Sequence, residues 1–140
     1  FSGDTFGLSY REFDTAKGPF IIPTTSPVQF DPDALHASIR RLVALRPPAI
    51  YLTHFGPVAE IHRLADDLHA TIDAMVELAH RHARDENRHA VLAESIARLY
   101  VERARSHGCP RTPDEIRALL AIDIELNAQG LEVWLDRSAG

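Results

Sequence analysis

The spacing of apolar positions changes character near residue 57. Beyond it, Ile61, Leu64, Leu68, Ile72, Met75 and Ala79 recur at steps of three and four, the seam of one long amphipathic helix. Arg84-Asp85-Glu86-Asn87 interrupts that seam. Val91, Leu92, Ile96, Leu99 and Tyr100 mark a second helix, which Gly108-Cys109-Pro110 ends. Thr112-Pro113-Asp114-Glu115 then restarts a helix. Thr112 caps, Pro113 takes the first helical position, and Glu115 stands three residues on, as a capping box requires. Ile116, Leu119, Leu120, Leu131 and Trp134 predict a single third helix, although Asp123, Asn127 and Gly130 blur its stripe.

Residues 1–57 read differently. Phe1-Ser2 is expected to end a strand, with Gly3-Asp4-Thr5-Phe6-Gly7 as the tight loop leaving it. Phe20-Ile21-Ile22 suggests a short strand that Pro23 and Pro27 confine to an edge or a loop. Asp31-Pro32-Asp33 starts a helix carrying Leu35, Ile39, Leu42 and Val43 on its buried side, and Arg46-Pro47-Pro48 stops it. Ala49-Ile50-Tyr51-Leu52-Thr53 follows as a strand compatible with a sheet interior, and His54 stands just past its end, before Phe55-Gly56-Pro57. This strand, loop, helix and strand order argues an α/β unit.

Composition narrows the classes. The 140 residues are 45% hydrophobic and 25% charged, which suits one ordinary domain or two small ones and is too apolar for disorder. No run approaches the ~20 apolar residues of a membrane span, and nothing resembles a secretory leader, so a cytoplasmic protein without membrane partners is expected. The formal net charge of -5 weighs against a nucleic-acid-binding surface. The single cysteine, Cys109, excludes an internal disulfide framework and a thiolate zinc cage.

Candidate chemistry gathers at Asp4 and His54, each placed where a strand ends and a glycine-containing loop begins. Ligands collect outside the carboxyl ends of strands in α/β sheets, and carboxylate and imidazole both bind Zn²⁺, Fe or Mn²⁺. On spacing alone an Asx turn at Asp4 and a satisfied strand-end histidine at His54 are the favoured reading, since two ligands fifty residues apart make no site. Tyr10 and Arg11 follow the first loop closely enough to touch a substrate there; an Arg fork could hold an anion, and a surface Arg11–Glu12 pair is the alternative. Two other sets lack force. His80, His82, Asp85 and His89 lie on a helix end, where residues two apart diverge by about 200°. His62, Asp66, His69 and Asp73 share one helix face, an arrangement more often of solvated i,i+4 pairs than of a metal site.

Two stretches resemble a known family. Phe1-Ser2-Gly3-Asp4-Thr5-Phe6-Gly7 is similar to the Gly-Asp-Thr ligand motif of the metallo-β-lactamase-fold hydrolases, and Ile50-Tyr51-Leu52-Thr53-His54-Phe55-Gly56 to their Thr-His-x-Gly motif, with a glyoxalase II-like flavour. The resemblance implies an α/β fold: the C-terminal part of an αββα sandwich over 1–57, then a helical extension of about three helices over 58–140, helix-dominated as given. It implies a metal-dependent hydrolase acting on an ester, thioester, lactam or related bond. Asp4 would bridge two zinc (or Fe or Mn) ions and His54 would bind one of them. The family's His-x-His-x-Asp-His segment is not present, so the metal site is incomplete and the chain alone is expected to be inactive. A missing N-terminal half of the same fold, a small-molecule substrate and a second copy of the chain are the expected partners. The competing expectation is a helical protein-interaction module, with residues 58–135 carrying the function.

Overall fold

In the computed structural model, which describes every residue except Ser26, Pro27 and Val28, five α-helices dominate. The expectation for Pro27 lies outside the described residues. Helix α1 (Pro32–Ala44) begins where Asp31 accepts the Ala34 amide at 3.0 Å and Pro32 occupies the first turn. Helix α2 (Ile61–Arg81) buries all six residues of its seam. Helix α3 (Arg88–Ser106) buries Leu92, Ile96 and Tyr100, with Val91 and Leu99 half-buried.

The third helix of the sequence reading is in fact two. Helix α4 (Pro113–Leu119) carries the full capping box between Thr112 and Glu115, and α5 (Ala121–Ala139) follows after Leu120 alone leaves helical geometry. Hydrogen bonds from Leu120 to Ile116 and from Ile124 to Leu120 run across the bend. Apolar spacing therefore continues through it, and periodicity gives no sign of the break.

The αββα sandwich expected over 1–57 is not there. The only sheet among the described residues is a two-residue antiparallel pair, β1 (Ile50–Tyr51) with β2 (Pro57–Val58). Segment 1–3 joins it through one parallel bridge, Gly3 to Leu52, and Phe20-Ile21-Ile22 makes one antiparallel bridge, Ile22 to Leu8. Two physical reasons explain the difference. Pro19, Pro23 and Pro57 supply no amide donor to a ladder. The apolar side chains that would face a second layer are covered by helices instead: Phe20, Ile21, Ile22, Ile50 and Leu52 belong to the same buried cluster as Leu64, Leu68, Tyr100 and Leu131. Tyr51 stays 48% exposed, so β1 is not a sheet interior.

The residues that blurred the last stripe form a stripe of their own. Asp123, Asn127 and Gly130 sit at steps of four and three on α5 and are all buried. Each serves the N-terminal segment. Asp123 accepts the Tyr10 hydroxyl at 2.6 Å. The Asn127 Oδ1 accepts the Thr25 amide at 2.8 Å, while its Nδ2 donates to the Pro23 carbonyl and to the Tyr100 hydroxyl. Gly130 leaves room for Thr25, whose Oγ1 lies 2.1 Å from where a Cβ would stand. A loop free of ladder partners needs donors and acceptors, and this helix face supplies them.

Candidate functional site

The two loops singled out in the sequence leave the fold side by side. Ser2 N–H donates to the Tyr51 carbonyl at 3.0 Å, and the Gly3–Leu52 bridge is parallel, so both segments run the same way to the same end. Asp4 follows one residue after Gly3, and His54 two after Leu52. Both side chains are exposed. Gly3 has φ +59, and a Cβ there would lie 4.0 Å from the Thr53 Oγ1, so the two stems approach closely.

The His54 loop turns back at Phe55 and Gly56, with φ of 71 and 88. Phe55 in the left-handed region costs about 1 kcal/mol or more, which the surroundings must hold in place. Arg11 does so. Its Nε donates to the Phe55 carbonyl at 3.0 Å and its Nη2 to the Pro57 carbonyl at 2.8 Å. The Phe55 ring stacks on Tyr10 with centroids 4.4 Å apart. Arg11 and Tyr10, expected as substrate contacts, thus have their polar atoms committed within the protein: Arg11 clamps the turn, and the Tyr10 hydroxyl is bound to Asp123.

Asp123 is the residue the sequence reading did not place in the site. Burial pushes its carboxyl upward, against the downward pull of the Tyr10 hydroxyl and of the nearby His54. Burial and the same carboxyl push the Tyr10 phenol well above its ordinary range. An Asp inside an apolar helix stripe was the available signal. Its partner, 113 residues away, was not legible from spacing.

The other histidine sets are dispersed. His80 lies edge-on to Trp134, His82 pairs with Asp85, and His89 lies between Glu125 and Glu132. His69 and Asp73 do meet, through α1: His36 Nε2 donates to Asp73 at 2.8 Å, and the Nδ1 atoms of His36 and His69 lie in hydrogen-bond contact. His62 and Asp66 line a small hollow of about 240 Å³ beside Arg40. Cys109 is free and buried. Among the described residues no group of three or more His, Cys, Asp or Glu side chains is arranged to hold a metal ion. Catalytic zinc takes three protein ligands, so Asp4 and His54 do not by themselves fit a metal centre, and still less a binuclear one. No described helix is long and apolar enough to cross a membrane. No protein-family model, curated protein or solved structure matches the chain.

Proposed function

We propose that this chain contributes Asp4 and His54 to a metal-dependent hydrolase whose remaining ligands come from further polypeptide, and that it is inactive alone. The observation that carries the reading is the parallel bridge between Gly3 and Leu52, which sends a carboxylate loop and an imidazole loop out of the same end of the fold. The Arg11 clamp on a left-handed Phe55 supports it, since local strain held by dedicated contacts gathers at functional loops. The likeness of both motifs to those of the metallo-β-lactamase-fold hydrolases supports it too; the αββα architecture is no part of the proposal. A zinc, iron or manganese ion held by Asp4, His54 and those further ligands would supply an activated water and polarise the bond under attack. The chain's own part is to hold the two loop stems together and to fix the His54 turn.

Metal analysis of the chain with thioester and lactone assays tests the incompleteness: no stoichiometric tight metal and no turnover are expected. Both together in the chain alone would contradict it. Asp4→Ala and His54→Ala in a longer, active form are expected to abolish hydrolysis while the fold persists; retained turnover would remove the site. A second reading, the helical interaction module, has its own observation in Ile122 and Leu126, which stand 74% and 40% exposed one turn apart on α5. Partner capture lost on Ile122→Ser/Leu126→Ser, with Asp4→Ala and His54→Ala silent, would favour it.

A further inference from the structure

A half-open cavity of about 480 Å³ lies away from the Asp4 and His54 loops, between the 17–21 segment, the first half of α2 and the end of α3. That volume falls in the range of small-molecule sites. Phe20, Ile21 and Leu99 form its apolar wall. Its charged lining is Lys17, Arg63 and Arg103 against Asp67 and Glu102, a net +1 with His107 neutral, on a chain whose formal charge is -5.

The three cations are not equivalent. Arg63 is neutralised, pairing with Glu60 at 3.2 Å and Asp67 at 3.0 Å. Lys17 and Arg103 pair with no carboxylate among the described residues. Lys17 Nζ donates to the Ser106 carbonyl at 3.0 Å. Among the described residues Arg103 Nη2 reaches only the Ala70 carbonyl at 3.4 Å, and its buried Nε has no acceptor. A guanidinium N–H withdrawn from water without an acceptor is a cost that folded proteins rarely carry unless something else satisfies it. A guanidinium takes the two oxygens of a carboxylate through paired N–H donors, and for Nε to be one of them the Arg103 side chain must turn into the cavity.

We propose that this cavity binds a small organic carboxylate, with its carboxylate held by the Arg103 guanidinium and the Lys17 ammonium and its apolar body against Phe20, Ile21 and Leu99. A carboxylate is favoured over a phosphate because the lining offers one unit of excess positive charge beside an apolar wall. The proposal is independent of the hydrolase reading, since none of Asp4, Tyr10, Arg11 or His54 lines the cavity.

The test uses the full chain and isothermal titration with phenylacetate, with phenylacetamide as the uncharged control and inorganic phosphate as the anion without an apolar body. Saturable phenylacetate binding is expected, weakened at least about tenfold by Arg103→Gln and less by Lys17→Gln. Arg103→Lys, which keeps the charge and loses the fork, should fall between wild type and Arg103→Gln. Circular dichroism of each variant separates lost binding from lost folding, and Lys17→Gln serves where Arg103→Gln does not fold. Absence of phenylacetate binding up to about 10 mM, a range that would detect even millimolar affinity, overturns the proposal. So does equal binding of phenylacetamide, tighter binding of phosphate, or full affinity in folded Arg103→Gln and Lys17→Gln.

Discussion

Substituting Gly130 by alanine sets helix propensity against packing. An interior glycine costs a helix about 1 kcal/mol relative to alanine, so propensity alone makes Gly130→Ala stabilising. The added Cβ, however, would stand 2.1 Å from Thr25 Oγ1 and 2.6 Å from Thr25 Cβ. Thr25 cannot swing aside freely: its amide donates to Asn127 on the same helix at 2.8 Å, and its hydroxyl lies 3.1 Å from the same oxygen. The loop must therefore shift as a unit. Overpacking of this kind costs about 1–3 kcal/mol, and a buried Thr25 amide losing its acceptor adds about 1–3 kcal/mol. Less the propensity gain of about 1 kcal/mol, the net expectation is a loss of about 1–5 kcal/mol. Urea denaturation followed by circular dichroism reads it as a lower midpoint at unchanged slope. Thr25→Gly in the same chain removes the clashing atoms and should recover part of the loss, a coupling that independent sites would not show. A Gly130→Ala midpoint at or above wild type would refute the packing reasoning and leave propensity in control.

Other substitutions follow from the same contacts. Asn127→Ala strands the Thr25 amide and the Pro23 carbonyl and should cost about 2–4 kcal/mol in the same denaturation assay. Arg11→Ala removes both donors from the 55–57 turn; amide exchange there should quicken severalfold while global stability moves by less than about 1 kcal/mol, because the pair of bonds is exposed. Tyr10→Phe takes away the hydrogen bond that pulls the Asp123 carboxyl down, so its titration, read by carbon NMR, should move further up. Burial first, then the charges of His36 and Arg40, hold His69 below the ordinary histidine value, against the upward pull of Asp73 and Asp66. Folding thus favours the neutral ring, so its contribution is whole above about pH 6.5 and is lost as pH falls through the lowered native value. His69→Gln should flatten that acid-side fall in stability measured between neutral pH and about pH 5.

The helices were legible because their signals are local. The α2 seam needed only its spacing, and the starts of α1 and α4 needed only Asp31-Pro32 and Thr112-Pro113-Asp114-Glu115. The sheet was misjudged because a strand is defined by its partner. Ile50 and Tyr51 have the composition of a buried strand, yet their ladder among the described residues is the two-residue one with Pro57 and Val58, across a turn that Phe55 and Gly56 close, with a single bridge to the 1–3 segment on the other side. At the candidate site, Asp4 and His54 were named from their motifs. Arg11 and Tyr10 were named by nearness, and their partners in the structure, the Phe55 and Pro57 carbonyls and Asp123, depend on tertiary contacts that no short window contains. Asp123, Asn127 and Gly130 registered in the sequence only as a blurred stripe, because the loop they hold lies about a hundred residues away.

The most direct measurement of whether Asp4 and His54 leave the fold together is proton–proton NOE spectroscopy across the Gly3–Leu52 bridge, with hydrogen exchange of the Ser2 amide. Cross-peaks between Gly3 and Leu52, and a Ser2 amide protected by its bond to Tyr51, are expected. Absent cross-peaks with a freely exchanging Ser2 amide would mean that the two loops are independent, and the hydrolase proposal would fall with them.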